Sequence, residues 1–87
     1  MRLVFSTRAW DECLYWQATP ATLARVNALI REASRTPFTG TGKPEPLRGD
    51  LKGWWSRRIT VEDRLVYRVT GRGADQCLEI AQCRSHY

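Results

Sequence analysis

A stretch rich in glycine and proline separates two parts of the chain that differ in hydrophobic periodicity. It covers residues 36–50, holds few large apolar side chains, and includes Gly40, Gly42, Pro44, Pro46 and Gly49 among its glycines and prolines. Because glycine and proline interrupt helices and strands, we predict a loop here. A loop of this length in so short a chain is typical of a functional or a disordered segment.

The part before this loop predicts one short strand and two helices. Residues 1–5 read as a strand, and Ser6 or Thr7 can cap the helix that follows. In the first helix Trp10, Cys13, Leu14 and Gln17 fall at helical spacing, with Trp10, Cys13 and Leu14 on one apolar face. The second helix begins with Thr19 as its cap and Pro20 in its first turn, and it ends near Arg35. Its apolar stripe consists of Leu23, Val26, Ile30 and Ala33.

After Gly53 the pattern changes to the alternation of strands. Residues 54–60 and 65–70 predict two strands joined through 61–63, and residues 77–84 predict a third strand after a turn at 71–75. The predicted fold is α+β, in which two N-terminal helices pack on a mostly antiparallel sheet of four to five strands in the order β-α-α-β-β-β. With 87 residues the chain has room for one core, so we expect a single domain over residues 1–87.

The chain is basic, and its positive charge comes mainly from arginine. The net charge is +5, with twelve arginines against two lysines. A guanidinium group can hold phosphate through two hydrogen bonds, so this composition favours a nucleic-acid partner. An acidic protein partner and a merely solvated basic surface both remain open on composition alone.

The cysteines and the hydropathy pattern bear on cofactors and location. Cys13, Cys77 and Cys83 lie in apolar segments without the close paired spacing of metal sites, so we expect buried free thiols and neither a metal nor a cofactor. No apolar run approaches the roughly 18–20 residues that span a bilayer, and residues 1–5 do not continue into a signal-peptide core. We therefore expect a cytoplasmic protein without membrane contact.

Arginines gather on one face of the predicted sheet. Arg64 and Arg68 alternate with the core-facing residues of their strand, and Arg58 lies on the neighbouring strand. Neighbouring like charges are unfavourable unless an anion or carboxylates lie between them. The face is therefore a candidate anion site, with a solvated outer face as the alternative.

A carboxylate and an imidazole could complete this site. Glu45 lies between two stiffening prolines, and His86 is the only histidine, directly after the last predicted strand. A carboxylate and an imidazole on opposite sides of a phosphodiester, with arginine on its nonbridging oxygens, can cleave RNA without a metal. The alternatives are an ordinary loop carboxylate and a frayed terminus. Tyr87 is the candidate for an exposed ring that stacks on bases.

Several segments, in order along the chain, carry a resemblance to a known family. They are Trp10-Asp11, Tyr15-Trp16-Gln17, Arg35-Thr36-Pro37-Phe38, Gly42-Lys43-Pro44-Glu45-Pro46-Leu47, Trp55-Ser56-Arg57-Arg58-Ile59-Thr60, Arg64-Leu65-Val66-Tyr67 and His86-Tyr87. Over nearly its whole length the chain resembles the YoeB-type toxins of the RelE/ParE superfamily, which implies a RelE-like fold.

The resemblance also implies an activity and partners. It implies a ribosome-dependent endonuclease that cleaves messenger RNA in the ribosomal A site, inhibits translation and is neutralised by a YefM-like antitoxin. Operator DNA would be reached only through that antitoxin, and the free toxin could form a homodimer. The implied roles are general base for Glu45, general acid for His86, phosphate stabilisation for Arg64, a part in activity for Tyr87, and substrate binding for Lys43, Arg48 and Arg58.

Two features depart from the family pattern. Family members often carry an aromatic residue at the position of Ser85 and a shorter turn at residues 71–76, and both concern the packing of the C-terminal tail.

Two alternative functions keep the same fold. One is a ParE-like inhibitor of DNA gyrase, which needs no acid–base pair, and the other is a non-catalytic module that binds an antitoxin and acts as co-repressor.

Overall fold

The computed structural model describes residues 1–86 and has two helices packed against a five-stranded mixed sheet. The strands are β1 (Arg2–Phe5), β2 (Glu45–Pro46), β3 (Trp55–Arg58), β4 (Arg64–Thr70) and β5 (Cys77–Gln82), and the helices are α1 (Thr7–Trp16) and α2 (Pro20–Ala33). The sheet order is β1-β5-β4-β3-β2. Only the pairing of β1 with β5 is parallel. The predicted α+β fold and element order are confirmed.

The predicted loop contains regular structure that the sequence did not indicate. Residues Glu45–Pro46 form β2 on the free edge of β3, and Gly49–Leu51 form a short 3-10 turn. A two-residue strand is too short to show alternation, which is why periodicity could not reveal it. The expectation of a loop was therefore wrong at Glu45, the candidate general base.

The face that α1 buries differs from the predicted one. Ser6 caps the helix as expected, because its side chain accepts a hydrogen bond from the N–H of Ala9. Ala9 and Trp16 are buried, whereas Trp10 and Leu14 are 54% and 43% exposed. This helix has two pairs of apolar residues four positions apart, Ala9 with Cys13 and Trp10 with Leu14, and periodicity alone does not say which pair faces inward. The face that Ala9 shares with Trp16 does so, and the indole N–H of Trp16 donates to the carbonyl of Cys83 (2.7 Å).

The rest of the core follows the predicted pattern. Leu65 and Tyr67 are fully buried on the helix-facing side of β4. The core also contains Val26, Leu29, Ile30 and Ala33 of α2 and Leu78 and Ile80 of β5. At Thr19, which occupies the N-cap position of α2, the side chain makes no capping hydrogen bond. Within residues 1–86, neither helix is long and apolar enough to cross a membrane.

A buried arginine holds the first part of the loop, residues 36–42. Arg57 of β3 is fully buried, and its guanidinium donates to the carbonyls of Thr36 (2.6 Å), Thr39 (2.8 Å) and Thr41 (3.1 Å). Its Nε donates to the hydroxyl of Tyr67 (3.0 Å). Glu32 lies 3.6 Å from the same guanidinium and accepts the N–H of Thr41. The loop that leads to β2 is thus fixed from inside the protein.

Candidate active site

A row of paired residues crosses four strands on the face of the sheet away from the helices, which we call the outer face. Glu45 is paired with Ser56, Ser56 with Val66, and Val66 with Gln82. Three steps at the usual strand spacing put the backbone of Glu45 about 14 Å from that of Gln82. Ser56, Val66 and Gln82 are buried, while Glu45 is exposed. The centre of the outer face is therefore not an open solvated surface.

Arg58 and Arg64 form the adjacent pair at the hairpin end of this row. They are direct cross-strand partners, as the alternation predicted. Arg58 is exposed, and the backbone N–H of this residue donates to the carbonyl of Gly42 (2.7 Å). The Nη1 of Arg64 donates to three carbonyls of the hairpin turn, those of Thr60, Val61 and Asp63. The turn thus draws the Arg64 guanidinium toward its own carbonyls, which lessens the repulsion between the two arginines.

Arg68, the third arginine of this face, has an acidic partner. Glu79, opposite it on β5, accepts hydrogen bonds from Nε (3.1 Å) and Nη2 (3.0 Å) of Arg68, and its other oxygen accepts one from the hydroxyl of Thr70 (2.7 Å). The Arg68 guanidinium also lies over the ring of Trp54 (4.5 Å). The Arg68 guanidinium is therefore engaged in contacts with neighbouring side chains of the sheet. Arg58 and Arg64 remain as the candidate anion ligands.

The Glu79 contacts lead to a prediction about acid stability. The hydrogen bond from Thr70 and then those from Arg68 hold the pKa of Glu79 below its ordinary value of 4.5. A carboxylate with a lowered pKa in the folded state stabilises the protein above its unfolded pKa, and this contribution is lost as the pH falls through the folded value. We expect the free energy of unfolding to fall below about pH 4.5, and Glu79→Gln to weaken that dependence in urea titrations at a series of pH values. An unchanged pH dependence in this variant would contradict the prediction.

The C-terminal tail, residues 83–86, continues the direction of β5 beside β4. The backbone N–H of Arg64 donates to the carbonyl of Ser85 (3.0 Å), and the N–H of Ser85 donates to Oδ1 of Asp63 (2.6 Å). The side-chain amide of Gln82 donates to the carbonyls of Arg84 (3.2 Å) and Ser85 (3.5 Å). His86 is exposed and follows directly on these bonds. The backbone of Ser85 is thus hydrogen-bonded to the hairpin, and the structure brings the tail next to Arg64.

Helix α1 holds the same tail from the other side. Glu12 accepts the N–H of Cys83 (2.8 Å), the Arg84 guanidinium lies over the ring of Tyr15 (3.5 Å), and Arg8 donates to the hydroxyl of Ser85 (3.5 Å). Ser85, where relatives often carry an aromatic residue, is therefore held by polar contacts instead.

The cysteines are less uniformly buried than the sequence predicted. Cys83 is fully buried, whereas Cys13 and Cys77 are partly exposed. The sulfur atoms of Cys13 and Cys83 lie 3.7 Å apart, and burial raises the pKa of the Cys83 thiol. All three are free thiols. Among residues 1–86, no group of three His, Cys, Asp or Glu side chains could hold a metal ion.

The remaining predicted site residues lie around Glu45. Lys43, with a positive φ of 51°, and Arg48 are both exposed on the segment that carries this carboxylate. Within residues 1–86, no hydrogen bond or ion pair joins either side chain to Arg58 or Arg64. Tyr87, predicted to take part in activity, lies outside the described residues. The structure thus brings Arg58, Arg64 and the tail with His86 together, and places Glu45 across the outer face from them.

Sequence reasoning missed the residues that hold the tail. Asp63 was read only as part of a turn, and Gln82 only as part of a strand. One signal was available, because Thr60 and Asp63 have the spacing of a turn closed by side chains.

Comparison with known proteins puts this chain in one class, the toxins of bacterial type II toxin–antitoxin systems. The family model described as the YoeB-like toxin of these systems matches residues 5–87. Toxin YoeB of Escherichia coli (strain K12) is 53% identical over 88 residues, covering 100% of both chains. The chain belongs to the YoeB-like toxin family.

Solved structures agree with this assignment. The YoeB/ParE toxin from Agrobacterium tumefaciens matches with a TM-score of 0.95 and 57% identity, covering 100% of both chains. YoeB from Staphylococcus aureus, 36% identical, has been solved as a dimer and in a heterotetrameric complex with the antitoxin YefM, with TM-scores of 0.87 and 0.86. Each match covers 100% of this chain and 98% of the S. aureus chain. The implied RelE-like fold is confirmed.

Proposed function

We propose that this toxin is a ribosome-dependent endonuclease that cleaves messenger RNA in the ribosomal A site and so inhibits translation. The observation that carries the proposal is the arrangement of the outer face. Glu45 lies at one end of the row across four strands, and Gln82 at the other end holds the tail that carries His86. The cross-strand pair Arg58 and Arg64 lies beside this row. An RNA backbone laid across this face would meet a carboxylate, two guanidinium groups and an imidazole.

The reaction would proceed by proton transfer at the two sides of one phosphodiester. Glu45, as general base, takes the proton of the ribose 2′-hydroxyl, and the 2′-oxygen attacks the adjacent phosphorus. Arg64 and Arg58 stabilise the charge that develops on the nonbridging oxygens. His86, as general acid, protonates the 5′-oxygen as its bond to phosphorus breaks. The products are a 2′,3′-cyclic phosphate and a free 5′-hydroxyl.

Other residues would bind the substrate rather than transfer protons. Lys43 and Arg48 extend the basic surface on the Glu45 side, where they can pair with flanking phosphates. Tyr87 would contribute to activity beside His86. Arg64 can meet a phosphate only if its guanidinium keeps N–H groups directed away from the turn or leaves the turn carbonyls on binding.

The partners follow from the relatives and from charge. Because S. aureus YoeB forms a complex with YefM, we propose that a YefM-like antitoxin neutralises this toxin and mediates any contact with operator DNA. The net charge of +5 suits an acidic segment of such a partner. A homodimer of the free toxin is proposed from the S. aureus dimer. We place the protein in the bacterial cytoplasm, with residues 1–87 as one toxin domain.

The product ends test the proposed reaction. Purified toxin added to ribosomes programmed with a defined messenger should yield a 5′-hydroxyl, which polynucleotide kinase labels without prior phosphatase treatment, and a cyclic phosphate. A messenger with a 2′-deoxynucleotide at the cleavage position should stay intact, because it lacks the nucleophile. A 5′-phosphate with a 3′-hydroxyl would contradict the mechanism. Inhibition of DNA supercoiling, without messenger cleavage, would favour the ParE-like alternative.

A further inference from the structure

We propose that Asp63 is a positioning residue that holds the general acid His86 in place through the backbone of Ser85. The inference rests on the proposed function, because it concerns the delivery of that acid. Oδ1 of Asp63 accepts the N–H of Ser85 at 2.6 Å, one residue before His86. This contact joins the turn between β3 and β4 to the tail, 22 residues further along the chain.

The Asp63 carboxylate is itself fixed by its turn. Its Oδ2 accepts a hydrogen bond from the hydroxyl of Thr60 (2.7 Å), and that hydroxyl oxygen accepts the backbone N–H groups of Glu62 (3.2 Å) and Asp63 (3.0 Å). The carbonyl of Asp63 accepts the N–H of Ile59 (3.0 Å). A carboxylate held in this way offers the tail an acceptor at a defined position.

Both backbone polar groups of Ser85 are paired with consecutive residues of the hairpin. The N–H meets Asp63 and the carbonyl meets the N–H of Arg64. Ser85 also has a φ of +59°, a left-handed conformation that residues other than glycine, asparagine and aspartate rarely adopt. Because this conformation sets the direction in which the chain continues to His86, loss of a bond that maintains it would displace the imidazole.

One observation separates the Asp63 carboxylate from the catalytic groups. Both of its oxygens already accept hydrogen bonds from within the protein, one from Ser85 and one from Thr60. Because Asp63 is adjacent in sequence to Arg64, its contact with Ser85 also sets the position of the tail relative to the proposed phosphate ligand. We expect Asp63→Ala to slow messenger cleavage about 100-fold, the loss that follows when a reacting group is misplaced by about 1 Å.

The test uses two substrates that differ in their need for a general acid. One is an ordinary messenger on the ribosome, and the other carries sulfur in place of the leaving 5′-oxygen at the cleavage position. A thiolate leaves without receiving a proton, so a defect in the acid is rescued on the sulfur substrate. Single-turnover rates are measured for Asp63→Ala, Asp63→Asn, His86→Ala and Glu45→Ala. Asp75→Ala, which removes an exposed carboxylate at the opposite end of β5, is the charge-matched control.

We expect Asp63→Ala and His86→Ala to be slow on the ordinary messenger and close to wild type on the sulfur substrate. Glu45→Ala should be slow on both, since the 2′-hydroxyl still needs a base. Asp63→Asn should retain most activity, because its amide oxygen can still accept the N–H of Ser85. Asp75→Ala should match the wild type. The double variant Asp63→Ala/His86→Ala should be no slower than His86→Ala alone, which follows only if Asp63 acts through His86.

Different outcomes would overturn the positioning role of Asp63 and the role of His86 as general acid. If Asp63→Ala is equally slow on both substrates, it acts on the whole fold, and if it is as fast as wild type on both, the tail does not depend on it. Either result, with His86→Ala slow and rescued, overturns only the role of Asp63. A His86→Ala variant as fast as wild type on the ordinary messenger overturns the proposed acid and the inference with it.

Discussion

Replacing Glu45 by Gln is expected to lower the single-turnover rate of messenger cleavage on ribosomes by about 10²- to 10⁴-fold, and His86→Gln to have an effect of the same order. Each substitution retains a polar side chain and removes its capacity to exchange a proton near neutral pH. Both residues are exposed, so the fold should not change. The rates are measured by rapid quenching with toxin in excess over programmed ribosomes.

The matched control for Glu45→Gln is Glu62→Gln. Glu62 is an exposed carboxylate in the turn between β3 and β4, so the same chemical change is made at a position without a proposed role. We expect this variant to cleave at the wild-type rate. The double variant Glu45→Gln/His86→Gln should lose less than the product of the two single losses, because an acid and a base that act in one step are not independent. Full activity in either single variant would contradict the assigned roles.

The secondary structure was largely predictable because its signals are local. The sequence pattern located both helices and four of the five strands, and it predicted that Arg58 and Arg64 would lie on neighbouring strands of one sheet face. Two predictions were wrong because contacts between different elements, rather than local pattern, decide the outcome. In α1, two apolar faces compete, and only tertiary packing decides that Trp16 rather than Trp10 is buried. In the loop, β2 exists because β3 offers it a free edge, and a two-residue segment carries no pattern of its own.

The residues of the candidate site could be proposed from the sequence, whereas the contacts that hold them in place could not. Sequence position suggests that a residue next to the C-terminal end would fray. The tail is instead held by Asp63, Glu12 and Trp16, which are separated from their partners by 22, 71 and 67 residues. A single sequence does not identify the partners in contacts of such separation, even where one residue carries a local signal. The backbone that leads to His86 therefore has a physical support that its position alone did not indicate.

Arg57 is the clearest case of a residue whose importance the sequence hides. Its neighbour Arg58 belongs to the predicted basic face, whereas no role was predicted for Arg57 beyond its place in a segment shared with the family. Alternation places Arg57 on the inner face together with Trp55, a position where arginine is rare unless it is paired. The buried guanidinium donates hydrogen bonds to three loop carbonyls and a tyrosine hydroxyl, and it forms an ion pair with a carboxylate.

Replacing Arg57 by Met is expected to lower the free energy of unfolding by about 3–5 kcal/mol, because four hydrogen bonds donated by a fully buried guanidinium are lost at roughly 1 kcal/mol each. Methionine fills a similar length with apolar atoms and donates no hydrogen bond, so the carbonyls of Thr36, Thr39 and Thr41 lose a donor and Glu32 loses its ion pair. Arg57→Lys should recover only part of the loss, since one ammonium group cannot match the fork of a guanidinium. Urea denaturation followed by the fluorescence of the four tryptophans measures these changes.

The control is Arg58→Met, which makes the same substitution at the next residue of β3. Arg58 is exposed, so its replacement should change the free energy of unfolding by no more than about 0.5 kcal/mol. The loop that Arg57 holds runs through Gly42, whose carbonyl accepts the N–H of Arg58, to the β2 strand that carries Glu45. Arg57→Met should therefore also slow cleavage under conditions in which the variant is fully folded. Equal stability of the two variants would mean that the hydrogen bond from the Tyr67 hydroxyl to the carbonyl of Pro37, rather than the guanidinium, holds this loop against the sheet.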